Sequence, residues 1–530
     1  MLDDPKQVSI VDLFAGPGGL GEGFSSFDHS GYHPFRINLS IEKDVYAHKT
    51  LELRSFFRKF SAKEVPEAYY EYLRQIDISE KLRRKTLFDK YPEKIEQVKD
   101  EARLAELGEE DPSTIHAWIS AALGKSSNWV LLGGPPCQAY SIVGRVRNQR
   151  NSDYKPEKDK RQYLYIEYLQ IIAEHQPAIF VMENVKGLLS ATLNNQRIFE
   201  RMYRDLQEPE EALRREDRPV HRDVLRKPFR YKLYSLVKSG KTSSSKLSDF
   251  VVRMENFGVP QARHRIIVLG IREDIDIVPN ILEPNESSVP IKKVLYGLPR
   301  VRSGLSRQED NADFWISRLD EMAKSPWYIS LKKGEPRKIY EKLVSSREKI
   351  RRPRADRGDE FIKYDPKIDY CSEWFLDPRI EGVCNHSTRT HLVNDLYRYF
   401  YTACFAQVKH RSALLQDFPV DLLPDHKNVS LNGSAPFADR FRVQVSNRPA
   451  TTVTSHISKD GHYYIHPDPT QCRSLTVREA ARLQTFPDNY FFCGPRTSQY
   501  IQVGNAVPPL LANKIAAIVY DVLEKANVRR

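Results

Sequence analysis

The sequence predicts an α/β protein, with a Rossmann-like domain built on an open, doubly wound sheet and a smaller, irregular second domain. A short apolar strand, Val8–Phe14, runs directly into a glycine-rich turn, which is typical of the first strand–helix corner of such folds. Apolar strands then alternate with helical spacing as far as residue 271. From about residue 273, prolines, aromatic residues and dense charge replace this alternation, which predicts the second domain.

The predicted strands are short apolar runs that end at glycines or charged residues. In chain order they are Val8–Phe14, Ile37–Ile41, Trp129–Leu132, Ala178–Met182, Tyr231–Val237, Phe250–Met254 and Ile266–Ile271. Residues 54–128 are charged and helix-prone, and they exceed the roughly 30 residues of a βαβ unit, so we expect a helical insertion there. Helical spacing covers Tyr163–His175 and Leu510–Lys525, and Thr476–Glu479 has the pattern of a capping box.

These changes of pattern place the domain boundaries. We expect the first domain at 1–272, the irregular domain at 273–446, and a return to the first domain over 447–530. The longest apolar stretches fall far short of the roughly 18 residues that a membrane-spanning helix needs, so no membrane span is expected. The N-terminus carries two aspartates before its first strand, unlike a secretory signal, and a cytoplasmic location is expected.

The composition indicates the kind of partner and argues against disulfide and metal sites. The 530 residues carry 82 Lys+Arg against 70 Asp+Glu, a net charge of +12, which favours a polyanionic partner but fits an ordinary basic protein equally well. Six cysteines show no CxxC pair, so neither a disulfide scaffold nor a zinc finger is expected. Cys384, His386 and His391 have the wrong number and spacing for a metal, and no metal site is predicted.

The glycine turn predicts a nucleoside site. Gly16, Gly18 and Gly19 follow the first strand. Glu42 ends the next strand, where a carboxylate can accept hydrogen bonds from ribose hydroxyls. The turn has neither the GxGxxG pattern nor the lysine of a P-loop, so a nucleoside without a pyrophosphate fits best. S-adenosyl-L-methionine is such a ligand, and a purely structural turn is the alternative.

The stretch Gly133–Ser141 predicts a nucleophile. Its two prolines fix the backbone after a strand and direct Cys137 out of the carboxyl end of the sheet, where open α/β folds place their sites. A free cysteine is more often a small buried hydrophobe, but a Pro-Pro turn flanked by glycines suits a core poorly. We therefore expect Cys137 to act as the nucleophile.

Two further motifs supply candidate partners for this cysteine. Glu183 lies at the end of the next strand and, in a parallel sheet, projects into the same crevice. Desolvation and a neighbouring thiolate should keep it protonated, as a proton donor requires. Arg263 and Arg265 lie two apart on an extended segment and should share one face, which suits an anion or carbonyl clamp. A solvated acid and surface arginines are the alternatives.

In this order, the motifs resemble those of the cytosine-C5 DNA methyltransferases. Pro-Pro-Cys-Gln stands where related amino-methylating enzymes carry Pro-Pro-Tyr or Pro-Pro-Phe, which separates carbon from nitrogen methylation. The resemblance implies a Rossmann-like, S-adenosyl-L-methionine-dependent methyltransferase domain beside a target-recognition domain. The matching blocks are Asp12–Gly19, Glu42, Gly133–Ser141, Glu183–Val185, Gln261–Arg265, Arg448–Val453, Arg478–Glu479, Arg482–Gln484, Phe486–Asp488 and Gln502–Pro508.

The resemblance also implies roles for single residues. Cys137 would add to C6 of a cytosine flipped out of the duplex, while Glu183 acts at its N3. Arg265 would contact the cytosine O2, with Arg263 beside it. The acid that the family carries after its third strand is not evident, and Asp77 is the candidate within the insertion. Further implied contacts are, to substrate, Pro136, Gln138, Ser141 and Asn184, and, to cofactor, Phe14, Gly16, Gly18, Gly19, Glu42, Leu164 and Asn505.

The segment 273–446 occupies the place of the family's target-recognition region. Within it, Lys332–Tyr364 holds 12 Lys/Arg against 6 Asp/Glu, interleaved with aromatic residues, so contact with phosphates is expected. The expected partners are double-stranded DNA and a restriction endonuclease that acts on the same sequence, and the protein is expected to be a monomer.

Two other functions stay open at this point. A tRNA-methylating relative would share these motifs, although the long middle segment exceeds what an RNA reader of that kind needs. A DNA-binding relative without catalysis is disfavoured because Cys137 and Glu183 are both present.

Overall fold

The structure, a computed structural model, describes residues 7–136, 164–193, 196–220, 228–240, 247–333, 336–424 and 438–528. The predicted site residues Cys137, Gln138 and Ser141 lie outside these ranges. The helices are α1 (Gly19–Ser25), α2 (Val45–Arg58), α3 (Glu67–Arg74), α4 (Glu80–Asp89), α5 (Pro92–Glu101), α6 (Pro112–Leu123), α7 (Leu164–His175), α8 (Ile198–Gln207), α9 (Pro209–Arg215), α10 (Lys292–Leu295), α11 (Ala312–Glu321), α12 (Pro326–Ser330), α13 (Arg337–Arg347), α14 (Ser372–Phe375), α15 (Val393–Lys409), α16 (Val477–Leu483), α17 (Arg496–Asn505) and α18 (Pro509–Val528). The strands are β1 (Val8–Leu13), β2 (Phe35–Glu42), β3 (Ala102–Leu104), β4 (Val130–Gly133), β5 (Ile179–Val185), β6 (Thr192–Leu193), β7 (Gln196–Arg197), β8 (Tyr231–Tyr234), β9 (Val251–Arg253), β10 (Gln261–Ala262), β11 (His264–Arg272), β12 (Gly304–Leu305), β13 (Phe361–Lys363), β14 (Gly382–Cys384), β15 (Thr390–His391) and β16 (Ala450–Thr451).

An eight-stranded sheet forms the frame of the first part of the chain. Its order is β3-β2-β1-β4-β5-β11-β8, and β9 pairs with β11 beside this path. Strands β3, β2, β1, β4 and β5 are parallel, whereas β11 is antiparallel to β5, β8 and β9. The strand order reverses between β1 and β4, which is where open α/β sheets bind their ligands. The predicted Rossmann-like fold is confirmed.

Alternate residues along these strands enter two separate cores, one on each face of the sheet. Val11 and Leu131 belong to the core that α6, α7, α8 and α9 cover. Ile10 and Val130 belong to the core that α1 and α18 cover. Because both faces are buried, the strands are continuous apolar runs rather than alternating ones.

The chain divides into two compact units, at points that differ from the predicted boundaries. The predicted return to the first domain at 447 falls instead at 506, and the predicted insertion 54–128 is divided between the units. Unit 1 comprises Met1–Lys63, Tyr91–Ser287 and Ala506–Arg530, and unit 2 comprises Glu64–Lys90 and Ser288–Asn505.

Side-chain contacts explain why α3 and α4 belong to unit 2. The guanidinium of Arg83 donates to the carbonyl of Tyr72 at 2.8 Å and to Oε1 of Glu360 at 3.0 Å. The hydroxyl of Tyr70 donates to Oδ2 of Asp377 at 2.9 Å. Arg83 and Glu360 are 277 residues apart, and no local pattern in the sequence predicts such a pairing.

Buried ion pairs hold residues 447–505 within unit 2. Arg473 donates through both terminal nitrogens to the two oxygens of Glu479, each at 2.7 Å, and its Nε donates to the carbonyl of Val301 at 3.0 Å. Arg482 pairs in the same bidentate way with Asp488, at 3.0 and 2.6 Å. The predicted capping box is confirmed, with Thr476 and Glu479 each accepting the other's backbone N–H.

Among the described residues, one helical stretch, Arg496–Asn527, is long and apolar enough to cross a membrane, and most of its apolar part is buried inside the protein. Its part in α18 packs in the core of unit 1 through residues such as Leu511 and Ile515. A core helix passes the same test of length and composition, and we assign this stretch to the core.

Candidate active site

Four predicted features meet at one edge of the sheet in unit 1. The glycine turn follows β1, Glu42 ends β2, the turn Gly134–Pro136 follows β4, and Glu183 lies near the end of β5. Because β11 runs antiparallel to β5, Arg265 pairs with Val185 at this same edge. The parallel order of the strands thus gathers residues that are far apart in the sequence.

The turn after β1 joins left-handed backbone to the Glu42 carboxylate. Gly16 and Gly18 have φ angles of 58° and 93°, a region that favours glycine. The N–H of Gly16 donates to Oε2 of Glu42 at 2.8 Å, and the N–H of Asp44 donates to its Oε1 at 2.8 Å. A carboxylate offers about four acceptor positions, so Glu42 can still accept a ribose hydroxyl. Burial raises the pKa of Glu42, and the two N–H donors oppose this.

Gly19 fixes the C-terminal segment of unit 1 against this turn. A Cβ at Gly19 would collide with the carbonyl oxygen of Val507, the second residue of that segment. Glycine is therefore required at this position by close backbone approach, whatever the ligand.

Two residues at the end of β1 are unusual: Phe14 in its backbone conformation and Asp12 in its pKa. Phe14 has a φ of 55°, which is uncommon for a bulky residue and costs on the order of 1–3 kcal/mol. Asp12 is 1% exposed, and burial raises its pKa to about 7, with Arg58 opposing and Glu42 adding to the shift. Strain and desolvation of this kind concentrate at functional sites.

Glu183 and Arg265 form an ion pair at the edge. Nε of Arg265 lies 3.0 Å from Oε1 of Glu183, and the two side chains are 14% and 13% exposed. Nη1 of Arg265 donates to the carbonyl of His264 at 2.9 Å. Burial lowers the pKa of the Arg265 guanidinium, and the Glu183 carboxylate opposes this. The Arg265 guanidinium thus lies against the Glu183 carboxyl group, a contact that the sequence did not reveal.

The Pro-Pro turn is held against the same residues. Nδ2 of Asn184 donates to the carbonyl of Pro135 at 3.2 Å, and the N–H of Val185 donates to Oδ1 of Asn184 at 2.8 Å. A Cβ at Gly134 would lie 3.3 Å from Oε2 of Glu183. Asn184 is 3% exposed and positions the turn, a role that differs from the substrate contact implied by the resemblance. Pro136 is half-buried and is the last described residue before Cys137.

Arg263 does not share the face of Arg265. Its side chain is 1% exposed, and Nη2 donates to the carbonyl of Ala506 at 2.9 Å. Two arginines two positions apart share a face only on one continuous strand. Here β10 ends at Ala262 and β11 begins at His264, so Arg263 lies between the two strands. Arg263 therefore binds the backbone of the C-terminal segment of unit 1, and the expected clamp of two arginines is not what the described contacts show.

The remaining predicted cofactor residues lie at helix ends. Leu164 begins α7 and is 8% exposed, against the turn at Gly108, where a Cβ would lie 3.6 Å from its Cδ2. Asn505 ends α17 and is exposed.

Strand β3 was missed by sequence reasoning. It has three residues inside the charged insertion and pairs with the end of β2, so it has no periodicity that could reveal it. Glu106 follows it by two positions, with Oε1 2.7 Å from Nζ of Lys43. Asp77, the earlier candidate for the acid after the third strand, lies in unit 2 and does not follow a strand of the sheet.

The fold and this edge define a class. A largely parallel sheet with a glycine turn after its first strand and a carboxylate at the end of its second is the arrangement of Rossmann-like folds. Together with the family match given next, it defines a Rossmann-like methyltransferase, which uses a methyl donor of the adenosyl-methionine type.

Comparison with known proteins identifies the family. The family model described as C-5 cytosine-specific DNA methylase matches residues 118–210 and 246–520, more than half of the chain. The chain belongs to this family, whose members methylate C5 of cytosine in DNA, and it is a DNA (cytosine-5-)-methyltransferase.

Curated relatives cover most of the chain. Type II methyltransferase M.Bpa9945I of Bacillus paralicheniformis is 33% identical, over 97% of this chain and 99% of its own length. Type II methyltransferase M.AgeI of Thalassovita gelatinovora is 25% identical, over 97% of this chain and 99% of its own length. DNA (cytosine-5-)-methyltransferase M.ApeKI of Aeropyrum pernix is 25% identical, over 74% and 81%.

Proposed function

We propose that this chain methylates C5 of one cytosine in a specific double-stranded DNA sequence and serves as the modification enzyme of a restriction–modification system. The observation that carries the chemistry is the Glu183–Arg265 pair, 3.0 Å apart, beside the Pro-Pro turn that leads to Cys137. An acid and a guanidinium at this place suit a pyrimidine ring, which offers N3 and O2 side by side.

In the proposed reaction, Cys137 attacks as the thiolate, because C5 of cytosine is too weak a nucleophile to take a methyl group unaided. The sulfur bonds to C6 while Glu183, as the carboxylic acid, gives its proton to N3; the carboxylate that remains is held by Arg265, and the ring becomes an enamine-like nucleophile. C5 would then take the methyl group from the donor held at the Glu42 edge, with the donor's sulfur as the leaving group. The C5 proton then passes to solvent, the electrons of its C–H bond expel the Cys137 thiolate from C6, and N3 returns its proton to Glu183, which restores the aromatic ring. The target carbon lies inside the base stack, so the cytosine must be flipped out.

Arg265 suits contact with the cytosine O2. A guanidinium carries five N–H donors; the described contacts use Nε on Glu183 and Nη1 on the His264 carbonyl. The fork can therefore hold the carboxylate and still present an N–H to the base. In this scheme Arg265 orients Glu183 toward N3 and binds the neighbouring oxygen at the same time.

S-adenosyl-L-methionine supplies the methyl group when bound, and the edge fits its nucleoside. The carboxylate of Glu42, fixed by two backbone N–H groups, suits the ribose hydroxyls. In this proposal Phe14 stacks on the adenine, and Leu164 lines its pocket. Glu106, after β3, is the candidate acceptor for the adenine amino group, in place of Asp77.

Sequence choice is assigned to unit 2. The predicted recognition domain and unit 2 share residues 288–446. Within this part, Lys349, Arg351, Arg352 and Arg354 are exposed, as phosphate contacts require. Tyr364 is 41% exposed, whereas the ring of Tyr340 packs edge-on against Tyr328 in the core. We further propose that the enzyme is a monomer, is cytoplasmic and works beside an endonuclease of the same specificity.

Product analysis tests the function. The protein is incubated with methyl-labelled S-adenosyl-L-methionine and, side by side, duplex DNA and tRNA, and the nucleic acid is digested to nucleosides. We expect label in 5-methyldeoxycytidine from duplex DNA alone. Label in N4-methyldeoxycytidine, or in tRNA with none in DNA, would overturn the proposal.

A graft tests whether residues 288–446 recognise the target sequence. Residues 288–446 are replaced by the matching region of a relative with a different target sequence, and methylated sites are mapped by sequencing. We expect the chimera to methylate the donor's sequence. A folded, active chimera that keeps the parent's sites would instead place recognition outside this segment.

A further inference from the structure

Three metal-ligating side chains meet in unit 1 on a face of the protein that the proposed chemistry does not use. His116 lies in the second turn of α6, and Glu174 and His175 are the last two residues of α7. One ligand atom from each lies within 4.8 Å of the others. Leu164 begins α7 at the catalytic edge, and His175 ends it eleven positions later, about 16 Å away at the helical rise. The cluster therefore lies at the opposite end of α7 from the catalytic edge.

The distance between the ligand atoms of His116 and Glu174 suits a shared metal ion better than a hydrogen bond. Nδ1 of His116 lies 3.6 Å from Oε2 of Glu174, which is longer than a hydrogen bond between these groups. Nδ1 is buried, and within the described parts of the chain it makes no hydrogen bond. Zinc bonds of about 2.0–2.1 Å in a tetrahedron place neighbouring ligand atoms roughly 3.4 Å apart. The observed gap is close to that value.

The surroundings of the cluster orient its carboxylate. Nε2 of Gln170, one helical turn earlier, donates to Oε1 of Glu174 at 2.6 Å, which leaves Oε2 facing His116. The Glu174 side chain is 8% exposed and that of His116 41%, so the ligand set is anchored on one side and open to water on the other. The two imidazole rings lie 4.5 Å apart with a 39° tilt. A second polar contact that fixes a ligand is typical of metal sites.

We propose that His116, Glu174 and His175 form a binding site for a divalent transition-metal ion such as Zn²⁺, Co²⁺ or Ni²⁺, with water as the fourth ligand. Two imidazoles and one carboxylate are a ligand set that these ions prefer. The ion would join α6 to α7, which together cover one face of the sheet, and would stabilise unit 1. The ligands come from two separate helices, 58 residues apart in the sequence, so no local spacing in the sequence predicts this site.

Metal binding is measured on untagged full-length protein after chelation and buffer exchange. Zn²⁺ is titrated by calorimetry, and Co²⁺ by its visible absorption. We expect one ion per chain, a tetrahedral Co²⁺ spectrum displaced by Zn²⁺, and a higher unfolding midpoint with Zn²⁺. Loss of a ligand should weaken binding by more than the roughly 10–100-fold typical of an outer-shell change, in both His116→Ala and the more conservative His116→Gln.

The matched control is His33→Ala. His33 also lies beside a carboxylate, with Nε2 3.9 Å from Oδ2 of Asp28, but both side chains are about half exposed, at 55% and 51%. This pair is not among the described clusters with a third ligand. We expect His33→Ala to bind like the parent. A parent that binds no stoichiometric ion, or a His116→Gln variant that binds as the parent does, would overturn the site. Because the readout is binding rather than methylation, either result leaves the proposed function untouched.

Discussion

Unit 1 and unit 2 differ in how they complete the hydrogen bonds of their main chain. In unit 1, the main chain supplies the frame, an eight-stranded sheet, and Glu183 and Arg265 lie partly open at its edge. In unit 2, the described strands β12–β15 and β13–β14 form two-stranded pieces, and Arg473, Arg478 and Arg482 are fully buried. Arg478 alone donates to three backbone carbonyls, those of Cys384, Pro487 and Tyr490.

This difference shows two ways of specifying a fold. A sheet satisfies its own backbone and can leave a few charged side chains for chemistry. A unit made of short strands and loops must satisfy its carbonyls by other means, and buried arginines do this in unit 2. Substitution of the Glu183–Arg265 pair at the edge of the sheet should therefore damage turnover, whereas substitution of a buried arginine of unit 2 should damage folding.

Glu183→Gln should give the largest effect, and only on chemistry. The amide keeps the shape of the side chain but cannot transfer a proton, so turnover should fall by about 10²–10⁴-fold with little change in the unfolding midpoint. Steady-state kinetics and thermal unfolding measure both. Glu255→Gln is the matched control, because Glu255 pairs with His264 at 2.7 Å beside the site. Weakened cofactor binding at unchanged turnover would give Glu183 a different role.

Arg482→Met should show the opposite pattern. It leaves Asp488, 1% exposed, without its bidentate partner, and removes donors from the carbonyls of Val294 and Lys367. Breaking a buried pair in this way costs about 3–5 kcal/mol, which urea denaturation can measure. Arg482→Met with Asp488→Leu should recover part of the loss. A loss below about 1 kcal/mol in the single variant would show that such pairs do not hold unit 2.

Acid should destabilise unit 2 through its buried histidines. His386 bonds Thr476 and the Pro299 carbonyl, each at 2.8 Å, and burial lowers the pKa of His386 and of His466 from 6.5 to about 4. As pH falls below 6.5 the unfolded chain takes up protons first, so stability is lost between pH 6.5 and about 4. Each histidine contributes on the order of 2–3 kcal/mol. Between pH 6.5 and 4, the free energy of unfolding should fall less steeply with pH in His386→Gln than in the parent. An unchanged pH dependence would contradict the assignment.

Asp12→Asn should give the smallest effect, of opposite sign. Burial raises the pKa of Asp12 from 3.8 to about 7, so the unfolded chain releases this proton first as pH rises, and stability is lost between pH 3.8 and 7. The amide carries no charge to desolvate. At pH 8, in the absence of cofactor, we expect Asp12→Asn to be more stable by about 1–3 kcal/mol, and equally stable at pH 4. A variant that is less stable at pH 8 would contradict this.

The comparison also explains what the sequence could and could not predict. The strands of unit 1 are continuous apolar runs, so the fold could be predicted, and their parallel order made it predictable that Glu42, Glu183 and the Pro-Pro turn lie at one edge. The short strand β3 and the break between β10 and β11 have no such pattern, and they account for the errors at Asp77 and Arg263. In unit 2, pairs such as Arg83 with Glu360 depend on contacts 277 residues apart, so its boundaries could not be placed.

A covalent trap tests the central claim most directly. A duplex that carries 5-fluorocytosine at the mapped target is incubated with the protein and S-adenosyl-L-methionine, and the products are separated under denaturing conditions. Fluorine cannot leave C5 as a proton does, so the bond from the Cys137 sulfur to C6 should persist as a 1:1 protein–DNA adduct, with the methyl group on C5. Cys137→Ser should form no adduct. A Cys137→Ser variant that still forms the adduct, or that methylates ordinary DNA at a near-normal rate, would contradict the account.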